Sequence, residues 1–115
     1  MLGLRNVTFM TPDPSRLADF WAAALGLPER RDGEHEVLLA DAEWTYPRYT
    51  FQRVERAAPG PNRLHIDLVT QDRPAEVERL VGLGATTVRT VTDDASGVEW
   101  TVMTDPDGNE FCVTR

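Results

Sequence analysis

The chain contains no lysine: all twelve of its basic residues are arginine, set against nineteen acidic ones, for a net charge of −7. Without that amine there is no Schiff-base catalysis and no phosphate-loop lysine, and no nucleotide cofactor is expected. The acidic balance argues against nucleic acid or an anionic membrane surface as a partner. Serine occurs only at positions 15 and 96, neither in a nucleophile-elbow setting, which argues against serine hydrolase chemistry. The single cysteine, Cys112, excludes an intrachain disulfide and fits a reducing compartment. The apolar stretch of Met1–Arg5 is too short for a secretory signal, and no run approaches a membrane span, so a cytoplasmic location is expected.

What the chain does have is an internal repeat. Asn6-Val-Thr-Phe-Met-Thr-Pro-Asp13 falls on His65-Ile-Asp-Leu-Val-Thr-Gln-Asp72, 59 residues on. A helical pattern follows each Asp and stops at a Leu-Gly pair, Leu25-Gly26 and Leu83-Gly84. Phe51-Gln52 and Phe111-Cys112, 60 residues apart, sit near the end of each half, so the repeat sets Gln52 opposite Cys112. In 115 residues this means one domain made of two copies of one supersecondary unit: module one over 1–56, a Pro/Gly-rich linker over 57–62 and module two over 63–115.

Local signals supply the elements. In module one a strand is expected at 3–10. A helix follows, with Asp13 as N-cap, Pro14 at its first position and Leu17, Phe20, Trp21, Ala24 and Leu25 on one face. Strands at 28–31 and 36–40 joined by an Asp32-Gly33 turn, and a strand at 48–54, complete it. Module two repeats the order, with a strand at 63–70, a helix at 73–83 turning Val77, Leu80 and Val81 inward, and strands near 86–92, 98–104 and 109–114. A four-residue Asp105–Gly108 loop would pair Val102 with Phe111, putting Trp100 in the core and Met103 on the opposite face.

Strand parity then divides the faces, because successive side chains point to opposite sides and one side must be covered by helix. Val7, Phe9, Phe51, Leu64, Ile66, Leu68, Phe111 and Val113 form the apolar set. Asn6, Thr8, Thr50, Gln52, His65, Asp67, Glu110 and Cys112 lie on the other side, with Arg63 at the near end of its strand.

These modules, with Phe20-Trp-Ala-Ala-Ala-Leu-Gly26, Asn62-Arg-Leu-His-Ile-Asp67 and Asp105-Pro-Asp-Gly-Asn-Glu-Phe-Cys112, resemble the vicinal-oxygen-chelate superfamily over essentially the whole chain, and its small glyoxalase-like domains in particular. The resemblance implies an α+β fold of two β-α-β-β-β modules, with an eight-stranded curved sheet around one cavity. It also implies a small-molecule ligand and a homodimer. Metal-dependent members take ligands from the first and last strand of each module, which here means Asn6, Gln52, His65 and Cys112. That set has one histidine and no carboxylate, so the metal site is read as degraded or absent. If one divalent metal is bound, zinc suits His65 and a Cys112 thiolate best. The last strand also lacks the carboxylate that serves as base in glyoxalase-type isomerisation, which argues against methylglyoxal as substrate.

His65 and Asp67 are the candidate catalytic or ligand-binding pair, with a structural Asp67–Arg63 ion pair as the competing reading. Arg63, Thr8, Thr50, Gln52, Glu110 and Cys112 are candidate ligand contacts, and Trp44, Tyr46 and Tyr49 candidate rim aromatics around the longest loop. Cys112 reads as an inert thiol and His35 as a solvated residue. The leading expectation is a metal-free glyoxalase-like binding protein or enzyme. The alternatives are a metal-dependent lyase, isomerase or dioxygenase using His65, and a sequestering protein of the bleomycin-resistance kind.

Overall fold

The computed structural model describes residues 6–55 and 66–115. The element order is β1 (Asn6–Thr11), α1 (Pro14–Leu25), β2 (Glu29–Asp32), β3 (Glu36–Ala40), β4 (Arg48–Arg53), β5 (Ile66–Val69), α2 (Arg73–Leu83), β6 (Thr86–Thr92), β7 (Glu99–Thr104) and β8 (Glu110–Thr114). This is the α+β arrangement of two β-α-β-β-β modules, and the chain divides into compact units Met1–Ala58 and Pro59–Arg115. The strands form two four-stranded sheets, β1-β4-β3-β2 and β5-β8-β7-β6, rather than one sheet of eight. In each, the first strand lies parallel to the last and the other pairs are antiparallel. The linker 57–62 lies outside the described residues.

Both helices start with the same chemistry. Asp13 accepts a hydrogen bond from the Arg16 N–H at 3.2 Å, and Asp72 from the Ala75 N–H at 3.1 Å. The backbone angles of the two caps agree to within a few degrees, at φ/ψ −134/83 and −135/85. One turn earlier the hydroxyls of Thr11 and Thr70 accept from the N–H groups of Asp13 and Asp72. Gly26 at φ 65 and Gly84 at φ 114 end the helices in the left-handed region, where a side chain would be strained.

Module one buries an aromatic core. Phe9 stacks on Phe51 at 5.1 Å between centroids and meets Trp21 at 5.2 Å; Phe20 meets Trp21 edge-on. Leu17, Ala18, Val37 and Leu39 complete it. Module two fills its helix-side core with Leu80, Ala85, Met103, Phe111 and Val113. Val81 does not join them and is 48% exposed. It follows Leu80 directly, so it points about 100° away around the helix, off the stripe that faces the sheet.

Two expected turns differ. Gly33 takes no left-handed angle and the turn is not centred on Asp32-Gly33: Asp32 pairs with Val37, the Gly33 N–H donates to the Glu36 carbonyl at 2.7 Å, and Glu34 and His35 make the turn. The β7–β8 loop is one residue longer than expected, so Met103, not Val102, pairs with Phe111. The cause is Asp105, 3% exposed, whose carboxylate accepts from the N–H groups of Asp107 and Asn109 and from Asn109 Nδ2, while Gly108 turns at φ 86. Met103 is therefore fully buried on the helix side, and Trp100 is half-buried beside Val102 on the other.

Candidate functional site

The candidate positions lie on the sheet faces turned away from each module's own helix, called the far faces below. In module one, register places Thr8 beside Thr50, then Leu38, then Arg31 across the sheet. The Asn6 side chain ties this face together: its Nδ2 donates to Thr8 Oγ1 at 2.9 Å and its Oδ1 accepts from Thr50 Oγ1 at 3.1 Å. Gln52 lies farther along β4, exposed, with Met10 and Glu36 as neighbours. Tyr49 alternates with Thr50 and pairs with Val7 and Leu39, so it belongs to the helix side.

Trp44 is the loop residue that reaches this face. Its backbone is left-handed at φ 57, and the Arg31 guanidinium lies 4.0 Å from its ring centroid. Arg48 donates through Nε and Nη2 to the Trp44 carbonyl, at 3.0 and 2.9 Å, and lies 4.8 Å from the Tyr46 ring. Reading the sequence missed Arg31 and Arg48. The parity of β2 against the apolar Leu38 would have found Arg31, since the two are cross-strand partners.

In module two the corresponding row is Asp67, Cys112, Val102 and Arg89. Cys112 and Val102 are buried at 6% and 3% exposure, while Asp67 and Arg89 are exposed. Burial pushes the Cys112 thiol above its ordinary range; the negative charges of Asp67 and Glu110 add to the shift, and Arg89 opposes it. Glu110, half-buried, pairs with Thr104. A bulge between Thr87 and Arg89 reverses the parity of β6, which is why alternation did not reveal Arg89. His65 and Arg63 lie outside the described residues.

The two rows correct the equivalence drawn from sequence. Thr8 and Asp67 correspond through the repeat, and their partners on the last strands are Thr50 and Cys112. Cys112 thus matches Thr50, not Gln52. The similarity of Phe51-Gln52 to Phe111-Cys112 is one of composition, whereas position in the sheet is set by pairing with the first strand, and module two has a bulged β6 and a longer β6–β7 connection.

This register bears on the metal expectation. The Asn6 amide already bonds Thr8 and Thr50, and Gln52 is displaced along its strand from Thr50. Among the described residues no three His, Cys, Asp or Glu side chains converge. A separate groove of about 550 Å³ lies at the start of α2, lined by Gln71, Asp72, Arg73, Pro74 and residues 96–99. None of the candidate positions lines it.

Fold and faces together define a duplicated β-α-β-β-β domain with polar positions on the sides away from its helices. A sequence description of the glyoxalase-like domain family matches residues 6–114, and the chain belongs to that family. Solved structures agree in fold. A glyoxalase/bleomycin resistance protein/dioxygenase family enzyme from Burkholderia phytofirmans PsJN is 16% identical, with 98% of each chain covered and a TM-score of 0.77. A member of the same superfamily from Sphaerobacter thermophilus is 21% identical, covering 99% of this chain and 97% of its own, with a TM-score of 0.71. Lactoylglutathione lyase from Agrobacterium tumefaciens is 14% identical over 97% and 92%, with a TM-score of 0.68. No curated protein matches the chain. Among the described residues no helix is long and apolar enough to cross a membrane.

Proposed function

We propose that this protein binds a small apolar or aromatic metabolite with a polar handle on its far sheet faces, without a resident metal. The observation that carries the reading is the module-two row: a buried apolar centre, Cys112 and Val102, bordered by the Asp67 carboxylate at one end and the Arg89 guanidinium at the other. An apolar centre fixes a hydrocarbon body, and flanking charges orient its polar groups. His65, with Asp67 to orient it, is the group assigned to proton transfer or ligand contact, and Arg63 the group assigned to an anionic end. A protonated Cys112 serves this face as a small apolar filler, not as a nucleophile or ligand.

The test is metal analysis of the purified protein beside thermal unfolding with a metabolite panel, with and without chelator. Metal-free protein, stabilised by several degrees by a panel member whether or not chelator is present, is the expected result. One tightly held metal per chain, lost in His65→Ala, would overturn it in favour of metal-dependent lyase, isomerase or dioxygenase chemistry. Recovery of the bound compound unchanged would make the protein a sequestering one of the bleomycin-resistance kind, and turnover would make it an enzyme. The proposed assembly is a homodimer, checked by sedimentation at micromolar concentration.

A further inference from the structure

Arg30 and Arg31 are neighbours on β2 with opposite surroundings. Arg30 turns to the helix side and is neutralised there, with Asp19 at 2.5 Å, Asp32 at 2.7 Å and the Ser15 hydroxyl at 2.9 Å. Arg31 turns to the far face, where no carboxylate pairs with it among the described residues, although the chain has nineteen acidic residues to twelve basic. It lies instead on the Trp44 ring, and Arg48, also without a carboxylate among the described residues, lies by Trp44 and Tyr46.

We propose that the far face of module one is a binding site for a planar aromatic carboxylate, held by Arg31 and stacked beside Trp44. The proposal rests on the reading that the protein binds a small molecule and names its chemical class. With its central carbon 4.0 Å from the indole centroid, the Arg31 guanidinium is anchored without spending its planar fork on a carboxylate, and a ligand carboxylate can accept two of its N–H groups in parallel. The indole is held for this. Trp44 sits in a conformation that a bulky residue adopts only under constraint. The constraint comes from the Trp44 N–H to the Asp41 carbonyl at 3.1 Å, the Thr45 N–H to Asp41 Oδ1 at 2.8 Å, and the fork of Arg48 on the Trp44 carbonyl.

The other end of the ligand is also marked. Arg31 and Thr50 flank Leu38 in the row, so they stand two strand spacings apart, about 10 Å. Leu38 is half-buried and offers an apolar floor, and the Asn6–Thr8–Thr50 cluster supplies hydroxyl and amide groups at the far side. A single aromatic ring with a carboxylate at one end and a hydroxyl opposite has the length and polarity to bridge the two.

The experiment titrates the full chain with 4-hydroxybenzoate and 4-hydroxycinnamate, and with the neutral amide of each, by calorimetry and tryptophan fluorescence. At least one acid binds saturably and changes the emission, a change absent in Trp44→Phe. Its amide binds at least about tenfold more weakly, and Arg31→Gln weakens the acid by a similar factor while leaving the thermal midpoint of the unliganded protein unchanged. Affinity falls as salt rises. Equal binding of acid and amide, or full affinity in Arg31→Gln, overturns the proposal while leaving small-molecule binding intact. Binding of neither acid overturns it too, and the metabolite panel of the preceding section then decides the broader reading separately.

Discussion

Helix α1 buries Leu17, Ala18, Phe20 and Trp21, whereas α2, one residue shorter and capped in the same way, buries only Leu80. Module two fastens its helix partly by polar means. Arg73 donates to Thr101 Oγ1 and to Glu99 Oε2, both at 2.6 Å; Thr101 also bonds Thr90, and Thr92 donates to Glu99. Arg30 likewise ties β2 to Asp19 and Ser15 of α1, so both copies carry a charge-assisted fastening. They differ in how much apolar burial lies beneath it: Leu17, Ala18, Phe20 and Trp21 under α1, and Leu80 under α2. The frame is local chemistry, a Thr two residues before an Asp cap and a Gly at the end, and it is indifferent to what lies between.

The largest expected effect tests this directly. Trp21→Ala, at a site 1% exposed within an aromatic cluster, should cost about 3–5 kcal/mol in urea unfolding, against about 2 kcal/mol for Leu80→Ala. Equal losses would break the contrast between the two cores. Arg73→Gln should come next, at about 1.5–2 kcal/mol, since it removes charge-assisted bonds at a residue whose side chain is only 16% exposed. Were it neutral, the polar fastening of α2 would be an ornament of the surface and Leu80 its main anchor.

The helix caps should show the opposite pattern. Asp13→Ala and Asp72→Ala remove the same hydrogen bond from matching geometry, so each should cost about 1 kcal/mol. A difference larger than about 0.5 kcal/mol would show that the cap's value depends on the core beneath it.

What could be read from the chain follows the same division between local and non-local causes. Element order, both caps and the parity of β1, β4 and β5 were legible, because each is set by neighbours a few residues away. The β7–β8 register was not: the side chain of Asp105 decides it by closing the longer loop, and a turn motif alone does not reveal which lengths that carboxylate accepts. The match of Cys112 to Thr50 was hidden because it depends on pairing across the sheet. Arg31 and Arg89, at corresponding edge positions, went unseen because β2 is short and charged and β6 carries a bulge.

That corrected match frames the smallest expected effect, a comparison of Thr50 with Cys112. Thr50 does not titrate, whereas the folded state holds the Cys112 proton to higher pH than the ordinary thiol value of 9.0, chiefly by burial and secondly by Asp67. Below pH 9 both folded and unfolded chains carry the protonated thiol, and the group adds no pH dependence. Above it the unfolded chain loses its proton first, so proton release favours unfolding and stability declines as pH climbs toward the raised folded value. In Cys112→Thr, which installs the module-one residue, that part of the alkaline decline should vanish. In Asp67→Asn it should shrink without vanishing, because burial remains the larger cause. Urea midpoints at pH 8, 9 and 10 for the three proteins measure it. An unchanged slope in Cys112→Thr would mean that the thiol ionises as freely in the folded chain as in the unfolded one, and the protected, apolar role assigned to it in module two would fall.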